Sequence, residues 1–351
     1  MLRGASEATV RAALESGDPL PGTGGFGGAI DGRLVRDVLG RVPVFYSETD
    51  WAFTPAVLEE PTAVPAGHVY DGTAPVECWR LPSPAPRTDL RAAIDDLETA
   101  LIETASSITD GAIAFSGGVD SALLAALIDA PLYTVGVPGS QDLETARATA
   151  AELDRSHRLI EVHPADIEAA IPEVARAIGR TNPMDVSIAC SLYLLAEGVA
   201  EAGHNRLVIG QGADELFGGY AKVAHRDHRV EADSIRAAVN ELIASLPGQL
   251  ARDVPVIEAA ELTPVAPFLH DRVVEQALAL PEELLVRDGT RKVALRRIAR
   301  RHLPGRVANR DKKAIQYGTL INREIDRLAR QAGFKRREDD HVGRYIRSRL
   351  D

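Results

Sequence analysis

The sequence predicts an α/β protein: a doubly wound parallel sheet with a helical C-terminal part, preceded by a small β-rich domain. Three observations carry this. After residue 90, short apolar runs alternate with helical stretches. Residues 24–80 instead hold short apolar runs broken by Gly and Pro, and from about residue 231 the periodicity is helical. The expected strands are 111–115, "LYTVGV" 132–137, "RLIEV" 158–162 and "RLVIG" 206–210, with helices over 119–129, 141–153 and 187–202. "SIRAAVNELIASL" and "RKVALRRIARRHL" supply later helical patterns. Between the two regions, "WRLPSPAPRTDL" (79–90) carries Pro82, Pro84 and Pro86 and reads as an extended linker. The expected divisions are a β-rich domain over 1–80, a linker over 81–88, an α/β domain over 89–330 and a tail over 331–351.

Composition narrows the classes of function. A chain of 351 residues, 45% of them hydrophobic, has room for two cored domains. No apolar run approaching a bilayer's span is visible, which predicts no membrane segment. "MLRGASEATVRAALESGDPL" lacks an apolar signal region, so a cytoplasmic location is expected. Cys78 and Cys190 are the two cysteines, which argues against a disulfide framework and favours small buried hydrophobes. A net charge of −11 disfavours nucleic acid as a partner. Lysine is scarce, at 222, 292, 312, 313 and 335 alone, two of them adjacent. "GTGGFG" (22–27) satisfies the dinucleotide fingerprint formally. It has neither a strand before it nor a long helix after it, and reads as a turn.

The chemistry concentrates in two loops. In "FSGGVDSALLAALI" (115–128), a glycine pair sits where a strand becomes a helix, so unpaired backbone N–H groups and the positive helix end converge on one anion site. Ser116-Gly117-Gly118-Val119-Asp120-Ser121 has an Asp where a Walker loop has Lys. A carboxylate beside phosphate calls for a divalent cation between them, so the loop suits Mg²⁺-bound pyrophosphate. The second loop, "VIGQGADELFGGY" (208–220), leaves another strand through Gly210 and Gly212 and delivers Asp214 and Glu215. Taken alone, that acidic pair suits a helix N-terminus equally well. Both loops follow the C-terminal ends of expected parallel strands, where α/β sheets place ligands, and Asp120 with Asp214 forms a pair able to share one Mg²⁺. Arg291, Lys292 and Arg296 lie in an Arg/Lys-rich helical pattern, which reads as a solvated face rather than a contact to phosphate or carboxylate.

The first loop resembles that of the ATP pyrophosphatases. Together with "GQGADELFGGY" it is similar to the synthetase domain of the asparagine synthetase B family, which includes the β-lactam synthetases. The intervening "YTVGVPGSQDLETARATAAELDRSHRLIEV" and the later "TPVAPFLHDRVVEQALALP", "RKVALRRIARRHLP" and "NRDKKAIQYGT" extend the likeness from about residue 90 to 325. The resemblance implies an adenine nucleotide α-hydrolase-like fold binding ATP and Mg²⁺. Ser116, Gly117, Gly118, Val119, Asp120, Ser121, Val135, Gly210, Gly212, Asp214 and Glu215 then contact nucleotide. The implied reaction adenylates the side-chain carboxylate of aspartate, releasing pyrophosphate, and ammonia then displaces AMP to leave asparagine. Arg310-Asp311-Lys312 matches the family's lysine context, which gives Lys312 the transition-state role with Lys313 as its competitor. The family's Gly-Glu-Gly-x-Asp-Glu string has Gln211 in place of Glu, and an amide accepts a hydrogen bond but no proton. Gln211 is a catalytic-site position that counts against the β-lactam branch and leaves room for another acceptor.

Residues 32–70 resemble the later part of the family's glutaminase domain, with Arg36-Asp37, Gly40, Pro43, Phe45-Tyr46 and Pro65-Ala66-Gly67 in its places. That domain's catalytic N-terminal Cys has no counterpart here, so ammonia is expected from solution or from a separate amidase. A homodimer stays open. The competing readings are the same adenylation on another carboxylate or on a modified nucleotide, a full glutamine-dependent synthetase, and a non-catalytic ATP-binding regulator.

Overall fold

A computed structural model describes residues 1–220, 223, 234–310, 318–337 and 339–350. The chain opens with β1 (Leu2–Arg3) and α1 (Glu7–Ser16). Ser6 starts that helix by accepting from the Thr9 amide at 3.1 Å, and Gly17 stops it in a left-handed conformation. Then come β2 (Gly27–Ile30), β3 (Arg33–Arg36), β4 (Phe45–Tyr46), β5 (Trp51–Ala52), β6 (Thr62–Ala63), β7 (His68–Tyr70) and β8 (Pro75–Glu77). They form an antiparallel sheet ordered β1-β2-β3-β7-β8 and a smaller one ordered β5-β4-β6. This β-rich module is what the Gly/Pro punctuation predicted. "GTGGFG" is the loop entering β2, not a helix start.

The second region contains α2 (Leu90–Ser106), β9 (Ala112–Ala114), α3 (Val119–Leu127), β10 (Leu132–Gly136), α4 (Gln141–Glu152), β11 (His157–Glu161), α5 (Pro164–Ile178), α6 (Pro183–Glu201), β12 (Arg206–Val208), α7 (Ala213–Leu216) and α8 (Ile235–Ala259). It continues through β13 (Thr263–Val265), α9 (Asp271–Leu278), α10 (Glu282–Leu285), a β14 (Val286–Arg287)–β15 (Thr290–Arg291) hairpin, α11 (Val293–His302), α12 (Gly305–Ala308), α13 (Ile321–Gln331) and α14 (His341–Arg347). Five strands form one parallel sheet in the order β11-β10-β9-β12-β13. The order reverses at β9, so the loops leaving β9 and β12 open a crevice at the C-terminal sheet edge. Side chains alternate as a pleated strand requires: Ile113, Phe115, Leu132 and Val208 enter one core, and Ala112, Tyr133, Val135, Leu207 and Ile209 the other.

Four expectations change. Residues after 231 are not all helical. β13 completes the sheet at its edge, where Pro264 removes no ladder bond because its neighbours Thr263 and Val265 make the contacts to Asn205 and Ile209. α5 fills the stretch between the expected strand 158–162 and the expected helix 187–202, where the sequence predicts no element. It forms despite Pro172, because Asp166 caps the His163 amide at 2.7 Å and a row of apolar residues is buried. α6 is long and apolar enough by composition to cross a membrane, with mean hydropathy 1.2 over a window 61% buried inside the fold. Its apolarity is spread through Ala, Val, Ile, Cys and Leu and serves the core. Finally, the last twenty residues include a docked helix. In α14 Tyr345 and Ile346 are buried, and the Tyr345 hydroxyl donates to Glu168 at 3.1 Å.

The β module and the α/β region share one apolar cluster that runs from Val10, Phe26 and Trp79 through Leu97, Phe115 and Leu123 to Phe268. Trp79 meets Phe26 edge-on at 5.4 Å and donates its indole N–H to Ala13 O at 3.2 Å. The proline-rich stretch has no regular secondary structure over 80–87 and is pinned by Arg87 N to Ala279 O (2.9 Å) and Arg236 to Pro84 O (2.7 Å).

Candidate active site

The loop from β9 to α3 is shaped by what a side chain would strike. Gly117 holds φ +72, and a Cβ there would lie 2.9 Å from Thr145 O and from Thr149 Oγ1. The α3 start at Gly118 has no side-chain cap, which leaves its first amides for a ligand. Ser116 and Ser121 fasten the loop to itself, with their hydroxyls 3.0 Å apart and Ser116 N donating to Ser121 Oγ at 3.2 Å. Val119 packs into the core and Asp120 turns into the cleft.

Gly212 (φ +90) and Gly219 shape the second loop. A Cβ on Gly212 would fall 2.3 Å from Leu269 Cδ2, and one on Gly219 would fall 1.8 Å from Asp214 Oδ1. Gly210 faces the Asp120 side chain, 3.8 Å from where its Cβ would stand.

Lys292 joins the two loops. It caps α11 in a left-handed conformation, φ +55, and is 6% exposed. Its Nζ donates to Asp120 Oδ2 at 2.5 Å and lies 2.7 Å from Asp214 Oδ1. Burial alone would lower the ammonium's pKa, but Asp120 and then Asp214 outweigh that and hold it above the ordinary lysine value. One cation against two carboxylates leaves a surplus of negative charge. Burial pushes the Asp120 carboxyl above its usual range in spite of Lys292, and Asp214 adds to the rise. Asp120 Oδ1 is buried without a hydrogen-bond partner. That orphaned oxygen and the exposed side of Asp214 fit a hard divalent cation taking oxygen ligands. Among the described residues no cluster of three or more His, Cys, Asp or Glu side chains forms. A cation held here therefore relies on ligand oxygens, as Mg²⁺ does on phosphate.

The cleft, about 740 Å³, is also lined by Val135, Asp142, Gln211, Glu215, Tyr220, Gln249, Arg252, Arg296 and an apolar patch that includes Ile188 and Leu192. Gln211 Nε2 donates to Gln249 Oε1 at 3.1 Å; Gln249 Nε2 donates to Glu215 Oε1 at 3.1 Å, and the Tyr220 hydroxyl to the same oxygen at 2.7 Å. Burial raises the pKa of Glu215, which the bonds from Tyr220 and Gln249 partly offset.

Every expected loop residue from Ser116 to Ser121, with Val135, Gly210, Gln211, Gly212, Asp214 and Glu215, lies in or directly behind this one cleft. Glu215 is turned to Tyr220 and Gln249 rather than to the Asp120 side. Lys312 and Lys313 lie outside the described residues. Arg310, two positions before Lys312, donates to Thr149 Oγ1 and to Glu152 at 3.1 Å, which ties it to α4 beside Gly117. The solvated reading of the 291–296 face is overturned. Lys292 and Arg296 are buried, and Arg296 is spent on backbone oxygens of Arg291 and Ala308, because its face of α11 packs on α3 and α12. The missed signal was lysine scarcity, applied to 312–313 and not to 292.

A doubly wound sheet with two acidic, glycine-shaped loops meeting at its switch point defines an α/β protein whose cleft lies where such sheets place ligands. Residues 95–255 and 236–345 match the family model of asparagine synthase, and the chain belongs to that family. It is 29% identical over 279 residues to the "Putative asparagine synthetase 1, glutamine-hydrolyzing" of Methanocaldococcus jannaschii, covering 69% of this chain and 51% of that one. Against the glutamine-hydrolyzing asparagine synthetase B of Escherichia coli it is 24% identical over 253 residues, 66% and 45% of the two chains. The chain thus spans about half the length of the curated relatives it matches. A solved NMN synthetase from Francisella tularensis aligns over 72% of this chain and all of that one, at 14% identity and a TM-score of 0.28.

Proposed function

We propose that this chain is an ATP-dependent amide-forming ligase that adenylates the side-chain carboxylate of aspartate and passes the acyl group to ammonia. The observation that carries this reading is the meeting of Asp120 and Asp214, from two neighbouring strand tips, on one buried ammonium beside the Gly117–Gly118 turn. In the first step a carboxylate oxygen bonds to the α-phosphorus of ATP as the bond to the bridging oxygen breaks, and pyrophosphate leaves with the electron pair. In the second, the nitrogen lone pair attacks the acyl carbon, AMP leaves with the acyl–oxygen pair, and the surplus proton passes to solvent. Mg²⁺, held by Asp120 and Asp214, would neutralise charge on the triphosphate and on departing pyrophosphate. The amides at the start of α3 and the hydroxyls of Ser116 and Ser121 orient the phosphates, Lys292 holds the two loops in register, and Val135 lines the nucleotide side. Lys312, with Lys313 as competitor, is the proposed cation for the transition states.

Cys190 is sealed in the core with its thiol pushed up to about 12 by burial, Cys78 is on the surface, and neither lines the cleft. A carboxylate other than aspartate is the second reading, favoured by Gln211 and by the apolar patch at Ile188 and Leu192. Pyrophosphate release from ATP and Mg²⁺, screened over carboxylic amino acids with ammonium or glutamine, tests both. Release with aspartate and ammonium, with AMP and asparagine as products, is expected. Release only with another carboxylate would replace aspartate, and ADP in place of AMP would overturn the reading.

A further inference from the structure

The amides around Gln211 have a direction that the hydrogen bonds fix. Ser245 Oγ donates its single hydrogen to Leu242 O at 2.6 Å, so that oxygen accepts from Gln249 Nε2 at 3.1 Å. The other Nε2 hydrogen of Gln249 goes to Glu215 Oε1 at 3.1 Å. With its NH₂ group committed to two acceptors, Gln249 can offer only Oε1 to Gln211, which meets it with Nε2 at 3.1 Å. The carbonyl oxygen of Gln211 is thereby left as the end of the amide without a partner in this relay, and Gln211 lines the cleft. The alternative flip of either amide would set two NH₂ groups, or two carbonyls, against each other. The family's Glu at position 211 would be an acceptor in any orientation, whereas an amide is one only if something turns it.

We propose that Gln249 is a positioning residue that turns the Gln211 carbonyl oxygen toward the reaction centre, as the hydrogen-bond acceptor for an N–H of the attacking amine. This rests on the ligase reading above. At its Gln211 end the relay presents an acceptor and no base, because Glu215 lies behind Gln249, so the nucleophile arrives as neutral ammonia or amine and loses its proton elsewhere.

Adenylation and amide formation can be read separately, by acyl-dependent ATP–pyrophosphate exchange and by amide product. In Gln249→Met, loss of one oriented hydrogen bond is expected to raise KM for ammonium about tenfold, with a smaller effect on exchange. In a Gln211→Glu background, whose carboxylate accepts from any side, the same Gln249→Met change is expected to cost less than about twofold. Equal cost in both backgrounds, or an equal loss of exchange and amide formation, would overturn the positioning role. Absence of exchange in the unaltered protein with every carboxylate would remove the ligase reading, and this proposal with it.

Discussion

At the N-cap of α11 a lysine holds a positive φ that its own side chain makes no easier, and the contacts of its ammonium explain why the fold keeps it there. Lys292→Met leaves Asp120 buried without its cation. The expected cost is about 1–3 kcal/mol of stability, below the usual figure for a broken buried pair because Asp214 is half exposed. Thermal unfolding measures that cost, and a Lys292→Met, Asp120→Asn double variant should recover much of it. Lys292→Met and Asp120→Ala should each also lower AMP formation at least a hundredfold; turnover within threefold of wild type in either would refute its role. The sequence was most informative at this scale where a residue type contradicted its surroundings, as Asp120 did in a phosphate-type turn. It was silent on Gln249 and on the bond that Gln249 gives Glu215, because only folding brings α8 against the second loop.

Elements carry their own constraints. A methyl group at Gly219 has nowhere to go but into Asp214 Oδ1 and the Lys292 stem. Gly219→Ala should therefore reduce pyrophosphate release more than tenfold, while a glycine with open space around it, such as Gly248, takes Ala without loss. In the β10–β11 pair, His157 accepts or donates at 2.8 Å to Thr134 and meets Phe115 edge-on. Burial, assisted by the charge of Arg147, lowers its pKa to about 4. An unfolded histidine titrates near 6.5 (about the peptide value), so between these pH values the unfolded chain binds more protons. The stability this histidine contributes is thus present above about pH 6.5 and lost as pH falls through about 4. The unfolding midpoint of His157→Gln should fall less between pH 7 and pH 4 than that of the wild type. A parallel decline in both would exclude this group as a source. The apolar runs of β9, β10 and β12 were legible because buried parallel strands are continuous in hydrophobicity, whereas β11 at the sheet edge is a mixed run with no fully buried residue. β13 was not legible, since three residues around a proline carry no periodicity.

For the molecule as a whole, Arg41 is a buried polar tie between the β module and the α/β region. It donates to Asp37 at 2.8 Å, to Leu269 O at 2.7 Å and to Asp271 at 2.6 Å, with all three side chains nearly inaccessible. Leu269 in turn is the side chain that Gly212 makes room for. Arg41→Met leaves two carboxylates buried without a cation, at an expected cost of about 3–5 kcal/mol. Because the apolar cluster is shared, fluorescence of Trp79 and far-ultraviolet dichroism should report one coincident unfolding transition; two separated transitions would contradict a common core. The Arg36-Asp37 and Gly40 pattern was readable as a family trace, but its service to the second loop was not, since it depends on contacts more than two hundred positions apart in sequence. The edge strand has a wider consequence. Pro264 offers no hydrogen to anything approaching β13 from outside. A second molecule arriving edge-on finds that rim unable to template another strand, which blunts stacking into fibres on that side.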